Sequence, residues 1–147
     1  MGFTVNASDE QLKSFILSHK NALLELDFAR GITQGKELIE YCENTPENEF
    51  DPKEYWMDYE SNLTGHSGVY GVVADIMTNE TKIRFGYYTD TECNDEDAIM
   101  LETCMPWHLN KKEKELTDEK LQAICEKYIA ELNPALSYGE IRMEFFG

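Results

Sequence analysis

The chain has 147 residues, 41% hydrophobic and 12% aromatic, enough apolar material for one ordinary core and too little for a second. Its 13 basic against 29 acidic side chains leave a formal charge of −16, a field that repels phosphate and disfavours direct binding to nucleic acid or to an anionic membrane. No apolar run reaches the roughly 18 to 20 residues that a membrane-spanning helix needs, and no basic and then apolar leader follows Met1, so a single cytoplasmic domain over 1–147 is expected.

Ser8 with Gln11 three residues on reads as a capping box, which predicts a helix running to about Arg30 with Leu12, Phe15, Ile16, Leu23 and Leu26 inward. Gly31 lies just past its end. Thr33 can cap a second helix through Leu38, Ile39 and Cys42, which fades before Thr45-Pro46 because the residue ahead of a proline is pushed out of helical geometry. Asp51-Pro52-Lys53-Glu54 combines an N-cap, a first-turn proline and a first-turn acid, opening a third helix that carries Tyr55, Trp56, Tyr59 and Leu63. The helical part is thus expected over 8–63.

After the turn-rich Thr64-Gly65-His66-Ser67-Gly68, β-branched and aromatic residues take over. Val69 to Met77 and Lys82 to Tyr88 read as two strands of a hairpin, and Ala98 to Met105 as a third strand ended by Pro106, though its short apolar run also fits a helix, so that 69–105 is strand-rich. Thr117 caps a helix over 118–132, in which Leu121, Ile124, Cys125, Tyr128, Ile129 and Leu132 follow helical spacing up to Asn133-Pro134. The alternation of Ile141, Met143 and Phe145 with Arg142 and Glu144 makes 140–146 a final strand. The fold class expected from this order is α+β, with N-terminal helices and a C-terminal helix packed on a roughly four-stranded antiparallel sheet.

Few residues carry a recognisable chemistry. Cys42, Cys93, Cys104 and Cys125 read as free thiols in a reducing compartment. Cys93, Cys104, His108 and Cys125 are zinc-ligand types, but no C-x2-C pair fixes a turn around a metal, and Cys125 sits on an apolar helix stripe. Asp90, Glu92, Asn94 and Glu96 alternate as in a calcium loop, yet Asp95 stands where that loop needs glycine and Leu101 where it needs its bidentate glutamate. No metal or cofactor is therefore expected. The catalytic bases on offer are His19, His66 and His108, and none falls in a G-x-S-x-G, P-loop, G-x-G-x-x-G or H-E-x-x-H setting. His19 reads as a structural residue inside a helix, whereas His66, in its Gly-Ser loop, is placed as loop catalysts often are.

The acidity is patterned. From Glu37 to Glu60 nine acids (Glu37, Glu40, Glu43, Glu47, Glu49, Asp51, Glu54, Asp58 and Glu60) face Lys53 alone, and from Asp90 to Glu102 another six (Asp90, Glu92, Asp95, Glu96, Asp97 and Glu102) face no base. Glu37, Glu40 and Glu43 recur every three residues on one helix, where like charges destabilise and no lysine follows four residues on to offset them. Tyr41, Phe50, Tyr55, Trp56 and Tyr59 are interleaved with these acids, a mixture suited to docking on a basic, partly apolar groove. Acids about 5 to 6 Å apart on a helix face approach the spacing of phosphates along a nucleic-acid strand. The plain alternative is a solvated acidic face with the aromatics in the core.

In size and charge the chain resembles small acidic anti-restriction and anti-CRISPR proteins of phages and mobile elements, a similarity of composition. That resemblance implies a non-enzymatic inhibitor that occupies a basic protein, such as a nuclease or another nucleic-acid-binding protein. The partner-binding residues expected are Glu37, Glu40, Glu43, Glu47, Tyr55, Trp56, Asp58, Tyr59, Asp90, Glu92, Asp95, Glu96 and Asp97. An immunity protein or antitoxin against a basic toxin would need the same surface. A small enzyme with its site near His66, Cys93 or His108 is the alternative from another class.

Overall fold

In the computed structural model residues 2–4, 7–55, 68–88, 98–101 and 106–132 are described. The capping box closes at the first helix: Ser8 Oγ accepts from the Gln11 amide at 3.2 Å, and Gln11 Oε1 accepts from the Ser8 amide at 2.8 Å. Two otherwise orphaned donors are satisfied reciprocally. Helix α1 (Asp9–Ser18) buries Leu12, Phe15 and Ile16, but it does not continue to Arg30. The chain leaves helical geometry at His19 (φ −113°, ψ 22°), and α2 (Lys20–Arg30) begins afresh. Gly31 then ends α2 at φ 66°, a left-handed conformation that glycine adopts without a Cβ clash.

Thr33 precedes α3 (Gln34–Asn44), as its position suggests, yet its side chain makes no capping bond. The cap comes from α2 instead, where Asp27 accepts the Gly35 amide on Oδ1 and the Lys36 amide on Oδ2, each at 2.8 Å. Gly35 permits that approach, because a Cβ there would stand 2.8 Å from Asp27 Oδ1 and 3.0 Å from the Leu23 carbonyl oxygen. Past Pro46 a 3₁₀ turn spans Glu47–Glu49. Asp51 then starts the short α4 (Pro52–Tyr55), its Oδ1 accepting the Glu54 amide at 3.2 Å.

The expected strand from Val69 to Met77 is a helix. In α5 (Val69–Thr81) every residue from Val69 to Met77 is buried. A helix apolar all round carries no period to set against solvent, so its β-branched composition imitates a buried strand. Thr78 and Thr81 give their hydroxyls to the carbonyls of Ala74 (2.9 Å) and Met77 (2.7 Å), which lets polar residues sit in its last turns. With α5 helical, the hairpin expected between 69–77 and 82–88 does not exist.

Strand β2 (Phe85–Tyr88) pairs with β3 (Ala98–Leu101), and β3 pairs with β1 (Gly2–Thr4), all antiparallel, in the order β1–β3–β2. Phe3 lies opposite Ile99, and Phe85 opposite Leu101. The expectation of an α+β fold on a four-stranded sheet is thereby corrected: the described residues are mostly helical, and their strands are three or four residues long. The final strand expected at 140–146 lies outside the described residues.

Asn110 and Glu113 form a second capping box at α6 (Lys111–Lys114). In α7 (Asp118–Leu132), Thr117 Oγ1 accepts the Lys120 amide at 3.2 Å, and Leu121, Cys125, Tyr128, Ile129 and Leu132 face inward. α5 packs on β2 and on α2, and α1 packs against α3, α4 and α7. The buried apolar side chains of these elements form one cluster that includes Phe15, Leu38, Ile76, Phe85 and Tyr128. Among the described residues no helix is long and apolar enough to cross a membrane.

Candidate functional site

Helix α3 turns Leu38, Ile39 and Cys42 to the core, and the helical period therefore sends Glu37, Glu40 and Glu43 to solvent. Glu47, Glu49, Asp51 and Glu54 continue the exposed acidic run through the 3₁₀ turn and α4. Glu37, Glu40, Glu43 and Glu47 make no ion pair with any described residue, whereas other described carboxylates, Asp75, Glu80, Glu113 and Glu131, do. No close ion pair with a described residue therefore offsets their mutual repulsion.

An aromatic seam fixes this run to the fold. Tyr41 stacks on Tyr55, with ring centres 3.9 Å apart and planes 4° from parallel, and on Phe50 at 5.3 Å. The Tyr41 hydroxyl accepts the Asp51 amide at 2.8 Å and donates to the Glu49 carbonyl at 3.4 Å, so one side chain ties the acidic turn to α3. Phe50 is buried, while Tyr55, the outer ring, is 49% exposed. Lys13 Nζ lies 5.7 Å from the Phe50 ring centre, within cation–π range.

Between α1 and the acidic turn opens a cleft of about 530 Å³ whose walls include Asp9, Glu10, Lys13, Leu17, Glu47 and Phe50. The fold therefore sets Asp9 and Glu10 beside Glu47. Within α1 they are the first-turn acids, a place that the helix dipole favours.

Of the partner-binding residues expected from the sequence, Glu37, Glu40, Glu43, Glu47 and Tyr55 come together on this surface. Trp56, Asp58, Tyr59, Asp90, Glu92, Asp95, Glu96 and Asp97 lie outside the described residues, as do His66, Cys93 and Cys104. His108 is exposed on a 3₁₀ turn, its ring edge-on to Trp107 at 5.8 Å and its carbonyl accepting from Arg84 Nη2 at 2.9 Å. Among the described residues no three His, Cys, Asp or Glu side chains are placed to hold a metal ion.

One polar cluster was not legible in the sequence. His19, 8% exposed at the α1–α2 break, lies 2.6 Å through Nδ1 from Glu80 of α5 and 2.7 Å through Nε2 from Glu131 of α7. Tyr128 donates its hydroxyl to Glu80 at 2.7 Å, and Phe15 lies against the imidazole at 4.3 Å. Burial, then the Glu80 carboxylate, pushes the Tyr128 hydroxyl far above its ordinary value. Carboxylates occupy both imidazole nitrogens, so this cluster joins three helices and leaves neither nitrogen to serve a substrate.

The two described cysteines are equally quiet. Burial pushes the Cys42 thiol up to about 11 and the Cys125 thiol up to about 12, far from a nucleophilic thiolate. Compared with protein-family models, with curated proteins and with solved structures, the chain finds no match in any of the three.

Proposed function

We propose that this chain is a non-enzymatic protein-binding inhibitor whose acidic face occupies the basic groove of a nucleic-acid-handling protein. The observation that carries the reading is the set of exposed carboxylates of α3 and its following turn, without ion pairs to described residues, flanking the stacked Tyr41–Tyr55 pair. Such a surface supplies what a basic groove needs, charge to steer the encounter and a flat aromatic to bury at contact. The buried thiols and the doubly engaged His19 offer no competing nucleophile or base.

The experiment is capture of the bound protein from the native cell, followed by association kinetics of the purified pair at several salt concentrations. The association rate of the wild type should fall steeply with added salt, whereas a variant with Glu37, Glu40, Glu43 and Glu47 changed to glutamine should start slower and respond little. Tyr55→Ala should cost about 2 kcal/mol of affinity as an interface aromatic. A captured toxin in place of a nucleic-acid-handling enzyme would redirect the reading to an immunity protein. Full affinity of the glutamine variant at low and high salt would reduce the acids to a solvated face.

A further inference from the structure

Three of the 13 basic residues of this acidic chain come together. Arg30 at the end of α2, Lys82 at the end of α5 and Arg84 just before β2 line one cleft of about 330 Å³, together with Leu26, Asp75, Thr78, Asn79 and Asn110, so that three cations face one carboxylate on its wall. Two of the cations are held by carboxylates. Arg30 Nη2 lies 3.2 Å from Asp75 Oδ2, and Arg84 donates to Glu113 from Nε (3.0 Å) and Nη2 (2.9 Å). In both pairs the carboxylate is the hidden member: Asp75 is 1% exposed against 21% for Arg30, and Glu113 3% against 29% for Arg84. In each pair the guanidinium is thus the more exposed member, although Asp75 stays on the cleft wall. Asn79 gives its amide to Glu25 at 2.8 Å, a further carboxylate beside the cleft.

Lys82 is the third cation, exposed and ion-paired with no described residue. Its φ of 62° is the one positive value at a non-glycine among the described residues. A side chain in that region costs about 1 kcal/mol, and glycine is the usual residue at such a helix end. Asn110 Nδ2 holds the Lys82 carbonyl at 2.9 Å, and the exposed Lys111 and Lys112 follow directly. A lysine at this strained position forgoes stability to place a charge over the cleft, as strained residues at ligand sites do.

We infer that this cleft is an anion site for a single phosphate group, free or as the monoester of a small metabolite. Its volume suits a small ligand, and guanidinium and ammonium are the donor types that phosphate oxygens favour. The overall charge of −16 opposes a polyanion far more than a single compact group, which is why the ligand is small. This inference stands independently of the protein-binding reading, which concerns the acidic face.

The test is an NMR titration of the full chain at low ionic strength with inorganic phosphate and, separately, with adenosine monophosphate. Saturable shifts confined to the amides around Thr78–Arg84 and Asn110 are expected. Lys82→Gln should weaken them about tenfold, the loss of one charged contact. Lys82→Gly should weaken binding equally while holding or raising Tm, because glycine relieves the left-handed strain. Equal affinity for both probes assigns the site to the phosphate group itself, and a tighter ester assigns it to a metabolite whose remainder covers Leu26. Absence of saturation with both probes, or unchanged affinity in both Lys82 variants, overturns the inference.

Discussion

At Glu113 two opposing effects meet on one carboxyl. Burial alone would raise it, but the Arg84 side chain and the amides of Asn110 and Arg84 hydrogen-bond its charged form and hold it below its ordinary value of 4.5. A carboxyl depressed by folding stabilises the fold fully above its unfolded value, and the contribution is lost as pH falls through the folded one. The acid limb of the stability curve, below about pH 4.5, should therefore flatten in Glu113→Gln. At neutral pH that variant should be less stable by about 2 kcal/mol, since Arg84 loses its charged acceptor. Urea melts across pH 3 to 7 read both effects, and parallel acid limbs for the two proteins would refute the assignment. Cys42 and Cys125 carry the opposite sign: a raised thiol favours the neutral form, so their contribution is full at neutral pH and fades as pH climbs toward 11 to 12. Both should resist a maleimide in the native protein and react on addition of urea; rapid native labelling of either would mean that its burial opens readily.

Helix starts show which elements a sequence can announce. The Ser8–Gln11 box is legible because all its groups lie within four residues, and Thr117 before α7 is legible for the same reason. The α3 cap is not, because Asp27 reaches it from the preceding helix across a turn. Asp27→Ala should cost about 2 kcal/mol, leaving the Gly35 and Lys36 amides without their acceptor, whereas Thr33→Ala should cost almost nothing. A thermal melt ranks the two, and equal losses would restore the cap to Thr33. Helix α5 reads as a strand in the sequence because period is the main local signal separating a buried helix from a buried strand, and a segment buried on every side has none. The Glu37–Glu40–Glu43 face was legible from helical spacing alone. The His19–Glu80–Glu131 junction joins residues 61 and 112 positions apart, and the cleft that brings Asp9 and Glu10 to Glu47 likewise arises only from packing.

For the molecule as a whole, the acidic excess is a cost to folding that the ion pairs do not cancel. The paired carboxylates Asp75 and Glu113 are buried beneath their partly exposed arginines and are screened less by salt, whereas Glu37, Glu40, Glu43 and Glu47 stand in water, where salt shortens the range of their repulsion. Added sodium chloride should therefore raise Tm, because it screens repulsion more than attraction. Changing those four glutamates to glutamine removes two like-charge neighbours at helical spacing, Glu37 with Glu40 and Glu40 with Glu43, each destabilising by about 0.2 to 0.5 kcal/mol. For a chain of this size the gain should appear as a rise in Tm of about 2 °C at low salt, and the salt-induced rise should shrink in the same variant. Calorimetric melts of both proteins over a salt series decide the matter. If salt lowered Tm, or if the glutamine variant melted below the wild type, the exposed acids would be held by favourable partners, and the surface would lose the uncompensated charge on which its binding role depends.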